Sequence, residues 1–164
     1  VRSIDDMDRF LRIGADKVSI NSSAIMDPNL INKGAEKFGK QCIVVAIDAR
    51  FNFKRKSWDV YTHGGRKNSG LDVYDWAQEA ESRGAGEILL TSMDKDGTKN
   101  GFDIPLTNKI SNNLNIPVIA SGGVGTLKHL EEGIVEGCAS AVLAASIFHF
   151  GEHTITEVKK YLHS

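Results

Sequence analysis

The chain has 164 residues, 41% hydrophobic and 25% charged, with a formal net charge of −1. This is ordinary globular composition, and so small a net charge excludes a global basic field for nucleic acid or an anionic membrane. No run approaches the ~18 apolar residues of a membrane-spanning helix, and the two cysteines, Cys42 and Cys138, each open an apolar run and read as buried free thiols, as expected in a reducing cytoplasm.

In chain order, Ser3 with Asp6 reads as a capping box that opens a helix ending at Gly14. A strand is predicted at 17–21 (KVSIN), and Asp27-Pro28 supplies an N-cap followed by a proline at the first helical position. The run 42–48 (CIVVAID) reads as a strand buried on both faces that ends on an acid, Asp48. An insertion at 50–70 follows. Its WDVYT alternates like a small strand, which fits a β-hairpin over the mouth of a barrel with Arg66 and Lys67 near an anionic substrate. Asp72 with Asp75 opens a helix through Arg83, closed by Gly84. A strand at 87–92 (EILLTS) leads into a polar loop at 91–103, and Asp103 caps the next helix. A strand at 117–121 (PVIAS) runs into the glycine turn of ASGGVG, 120–125. Thr126 opens a helix with Gly137 just past its end, a strand is predicted at 140–146 (SAVLAAS), and Thr154 with Glu157 opens the last helix.

Alternation of short, apolar strands with capped helices predicts βαβ units and a parallel sheet. RIGADKVSIN, SRGAGEILLTS and VEGCASAVLAAS repeat one plan: a helix end, a glycine, a small polar step, then a strand ending in polar residues. Because every strand ends in polar residues, a (β/α)8 barrel, here with about five βα units in one domain, is favoured over a doubly wound sheet, which would gather them at one switch point.

The strand ends then converge on one mouth, and Asp48 is one of the few carboxylates on that ring. A capping role is disfavoured because the next helix opens only at Asp72. Asp48 is therefore the candidate catalytic group. Gly122 and Gly123, with Ala145 and Ser146 one strand later, suit a phosphate cradle, and Asn21 and Ser22 suit a second anion site or an ordinary polar turn. Asp94, Asp96 and Asp103 share the 91–103 loop, but the spacing and closing Glu of a calcium loop are missing. The histidines show no metal-ligand spacing, and no metal or cofactor is implied.

Together, GADKVSIN, VVAIDA, GAGEILLTSMDKDGTKNGFD, IPVIASGGVG and LAASIFHF resemble the cyclase subunit of imidazole glycerol phosphate synthase, in histidine biosynthesis. The resemblance implies a (β/α)8 barrel that takes ammonia from a partner glutaminase subunit. With it the enzyme closes an imidazole ring on a bis-phosphorylated aminoimidazole carboxamide ribonucleotide. It makes Asp48 one of two catalytic aspartates. It assigns Asn21 and Ser22 to one phosphate site, and Gly122, Gly123, Ala145 and Ser146 to the other. Thr91, Asp96, Gly97 and Ser121 then face substrate, and Lys17 and Glu87 gate ammonia at the opposite face. By the same resemblance Val1 falls just after the third strand, so these residues are expected to hold strands four to eight, without the other catalytic aspartate and inactive alone. The sister isomerase of the pathway and a non-catalytic phosphosugar-binding fragment are the competing readings.

Overall fold

The computed structural model describes residues 1–151 and 153–163. Among them one sheet contains β1 (Val18–Ile20), β2 (Ile43–Asn52), β3 (Ser57–Thr62), β4 (Lys67–Asp72), β5 (Glu87–Ser92), β6 (Val118–Ser121) and β7 (Ala141–Leu143). The helices are α1 (Ile4–Arg12), α2 (Ser22–Met26), α3 (Asn29–Phe38), α4 (Val73–Arg83), α5 (Ile104–Ser111), α6 (Leu127–Val135), α7 (Ser146–His149) and α8 (Ile155–Leu162). None is long and apolar enough to cross a membrane.

Five strands are parallel, in the order β1-β2-β5-β6-β7. Apart from the inserted hairpin, spatial order follows chain order without reversal. That is the winding of a βα barrel, not of a doubly wound sheet. The five form an open arc with β1 and β7 at its edges. The antiparallel β3–β4 hairpin extends the arc at the carboxyl end of β2, where Asp48 pairs with Tyr61 and Asn52 with Ser57. The lower half of β2 pairs with β1, from Val18 opposite Ile43 to Ile20 opposite Val45.

Local chemistry sets the helix ends. Ser3, Asp72, Asp103, Thr126 and Thr154 each accept a backbone N–H in the first turn that follows, and Thr154 with Glu157 completes a capping box. Asp27 accepts from Asn29 N–H at 3.1 Å, but α3 opens one residue later than expected, with Pro28 at the N-cap instead of the first helical position. Gly84, at φ 106°, ends α4 in the left-handed region that its sequence predicts.

The helices cover one face of the arc. Ile88, Leu90, Val118 and Ala120 point into them and are buried, joining Met7, Ile31, Trp76, Leu106 and Ile110 in the main core or Leu130 and Ile147 in a smaller one. Only the first part of β2, Ile43 to Val45, is buried on both faces as the sequence suggests; the other parallel strands are not. Leu89 and Ile119 on the inner face are half-buried, and Leu143 on the edge strand is exposed, because an open arc has no opposite wall to cover them. Three further expectations are corrected. β2 does not stop at Asp48 but runs on to Asn52, since the hairpin supplies it with a partner. The last strand ends at Leu143, and Ser146 opens α7. Cys138 is exposed rather than buried, and Cys42 is half-buried; both are free thiols.

Candidate active site

Parallel register lines up the inner face of the arc in layers. Asp48 lies opposite Thr91, and Thr91 opposite Ser121; one layer below, Ala46, Leu89 and Ile119 align in the same way. Below these again lies Glu87, whose carboxylate is ion-paired with Lys17 across β2. The inner face thus carries an ion pair at the amino ends of the strands, then an apolar layer, then a polar layer at the mouth.

Asp48 is half-buried, and Asn21 Nδ2 donates to its Oδ2 at 3.0 Å. Burial raises the Asp48 pKa above the usual carboxylate value; the Asn21 bond works against this, and the like charge of Asp96 adds to it. Asn21 Oδ1 is buried and meets no donor among the described residues, which leaves an acceptor beside the acid for a ligand to satisfy. These groups sit among three pockets. The middle one, of about 310 Å³, is lined by Asp48, Thr91, Met93 and Asp96, with Gly64 and Gly65 of the hairpin tip. On one side a pocket of about 130 Å³ brings Asp96 and Gly97 together with Ser121, Gly122, Gly123, Ala145 and Ser146. On the other, Asn21 and Ser22 line a larger cavity with Arg2 and His63.

The Gly122-Gly123 turn of the first side pocket needs glycine for a steric reason. Gly123 has φ 102°, and a β-carbon there would fall on the Gly101 carbonyl oxygen. Gly123 and Val124 line the pocket, and neither N–H meets an acceptor among the described residues. Two free backbone donors in a small concave pocket suit a phosphate or similar anion.

The structure thus gathers Asp48, Thr91 and Asp96 round one pocket, and Gly97, Ser121, Gly122, Gly123, Ala145 and Ser146 round the next; Asn21 reaches Asp48 from the third. Ser22 falls in the third, where its hydroxyl accepts from His63 N–H at 2.9 Å and so keeps its own proton to donate. Lys17 and Glu87 lie at the far end of the arc. Arg66 and Lys67 do not meet the expectation for them: both are exposed and line none of the three pockets, because the tip turns the backbone of Gly64 and Gly65 inward instead. The acids of the 91–103 loop point apart. Asp94 accepts from Phe51 N–H, Asp103 is buried as a helix cap, and Asp96 alone of the three faces the pockets.

Residues 1–154 match the family model described as histidine biosynthesis protein. The chain belongs to that family. It is therefore a histidine biosynthesis enzyme of the isomerase or cyclase kind, on an α/β fold with parallel strands. Sequence reasoning missed His63, Gly64, Gly65 and Met93 at the pockets. The signal lay in the THGG of the hairpin, whose consecutive left-handed residues, His63, Gly64 and Gly65, mark a tight turn presenting backbone.

Proposed function

We propose that the protein is the cyclase subunit of imidazole glycerol phosphate synthase, represented here by strands four to eight of its barrel, and that it takes ammonia from a glutaminase partner. The observation that carries this reading is the order of groups along the inner face. The Lys17–Glu87 ion pair at one end can admit a small polar molecule, the Ala46, Leu89 and Ile119 layer passes it without trapping it, and Asp48 waits at the mouth. On this reading the ion pair gates ammonia entry, a role for which an isomerase has no use.

On this reading the two side pockets hold the two phosphates of the ribonucleotide and set its reactive carbons over the middle pocket. Asp48 acts as general acid and base. Partial burial moves its pKa toward the working pH, where a carboxyl can both accept and return a proton. Asn21 holds the carboxylate in place, Thr91 and Asp96 orient substrate, and Gly123 and Val124 N–H groups bind phosphate.

The test uses the protein extended to a closed eight-strand barrel. With an ammonium salt and the ketose form of the ribonucleotide it should release imidazole glycerol phosphate and aminoimidazole carboxamide ribotide, and with the glutaminase subunit glutamine should replace ammonium. Conversion of the aldose form to the ketose without ring closure would identify the isomerase instead. Phosphate binding without turnover of either would leave a binding protein.

A further inference from the structure

We propose that His129 is a positioning residue for the anion pocket. Its imidazole takes the Gly125 N–H and covers Gly101, and so fixes the 122–125 turn against the 99–101 segment. This rests on the reading of the 130 Å³ pocket as a phosphate site.

The two segments are interlocked through backbone. Gly101 N–H donates to the Gly123 carbonyl at 2.7 Å, and β-carbons on Gly123 and Gly125 would strike the Gly101 and Lys99 carbonyl oxygens. Both segments must keep one separation for the pocket to have its shape, since Gly97 and Lys99 line one side and Gly122, Gly123 and Val124 the other. His129 touches both. Its Nδ1 accepts from Gly125 N–H at 3.1 Å, while a β-carbon on Gly101 would lie 3.4 Å from its Cδ2. Its own N–H donates to Thr126 Oγ1 at 3.3 Å, which anchors the residue in the first turn of α6. As the acceptor of this bond Nδ1 carries no proton, which leaves Nε2 as the ring's donor. The bond also fixes which donors face the ligand. Gly125 N–H is used by the protein and Gly125 is not in the pocket lining, whereas Gly123 and Val124, which are, keep theirs unused.

The experiment titrates inorganic phosphate into the full chain and follows the Gly123 and Val124 amide resonances. Three substitutions separate the ring from the bond. His129→Asn keeps an acceptor near the Nδ1 position without the ring. His129→Phe keeps a ring over Gly101 without the acceptor, and His129→Ala lacks both. Loss of the bond should weaken phosphate binding about tenfold in the Phe and Ala variants, the effect of one hydrogen bond, with most of it restored by Asn. A merely structural role would let melting temperature track ring size and leave phosphate affinity unchanged among folded variants. Equal affinity in wild type and His129→Phe, with binding abolished by Gly123→Ala, would overturn the positioning role and leave the pocket standing. Binding of phosphate that leaves the Gly123 and Val124 amides unmoved, or no binding at all by wild type, would overturn the pocket and this inference with it.

Discussion

Asp103→Ala should be among the most damaging single changes outside the apolar core. Asp103 is 9% exposed and joins three elements. Its Oδ1 accepts from Leu106 N–H at 3.2 Å and caps α5, while its Oδ2 takes Trp58 Nε1 of the hairpin at 3.0 Å and Ser92 Oγ at the end of β5 at 3.2 Å. Losing the cap costs ~1 kcal/mol. Each bond to a charged acceptor is worth ~1.5–3 kcal/mol, less where water can reach the abandoned donor, as it can at half-buried Trp58. The sum is about 3–5 kcal/mol for Asp103→Ala. Asp103→Asn keeps one carbonyl oxygen but sets an amide against a donor on one side or the other, for about 1–3 kcal/mol. Urea unfolding followed by tryptophan fluorescence gives both values, and Trp58→Phe closes a double-mutant cycle with Asp103→Asn. The pair should couple by about 0.5–3 kcal/mol. A cost below ~0.5 kcal/mol for Asp103→Ala, or strict additivity in the cycle, would refute the tether between hairpin and sheet.

Asp48→Asn should lower ring closure by ~10²–10⁴ in the closed-barrel enzyme, because the amide keeps the Asn21 contact but cannot carry a proton; near-normal kcat with ammonia would end the catalytic assignment. The same change should stabilise the fold near neutral pH. A carboxyl raised by burial contributes stability while protonated and loses it as pH rises through its folded value, so the variant's advantage should close as pH falls below the ordinary carboxylate value of 3.8, and an advantage constant with pH would contradict the burial argument. Gly123→Ala should raise KM by about tenfold or more with a smaller change in kcat; a kcat defect at unchanged KM would argue against an anion cradle. The open arc leaves β1 and β7 with unpaired edges, so the chain should associate with itself, and a monodisperse, cooperatively unfolding monomer in size-exclusion chromatography would refute this.

Capping chemistry and the position of the apolar runs were legible in the sequence, whereas the one-sided burial of β5, complete at Ile88 and Leu90 but not at Leu89, was not. EILLTS gave β5 at its observed bounds, and five caps fell where Ser, Thr and Asp preceded an apolar run. What stayed hidden depends on tertiary partners. KNSGLD carries no hydrophobic signal for β4, because both its faces are largely exposed and β3 alone holds it. Arg50 to Asn52 belong to a strand only because the hairpin folds back on them. The short helix α2 has no side-chain cap: Asn21, which precedes it, spends its amide on Asp48 instead. At the site, residue types marked the ring of candidates, but the separation of the three pockets and the link from His129 to Gly125 required coordinates.

β2 faces two neighbours along one edge, β1 below and β3 above, and that bears on the order in which the chain folds. β2, β3 and β4 are consecutive, joined by turns at 53–56 and 63–66, so their pairing closes only short loops. Hairpins of this kind form in ~1–10 μs, well ahead of parallel pairings that must wait for a helical crossover. The β2–β4 meander is then the earliest piece of sheet available, and it offers the other edge of β2 as a ready template for β5 once α4 has crossed over. An insertion that looks like an ornament on the mouth would thereby serve as the seed from which the strand bearing Asp48 recruits the rest of the arc.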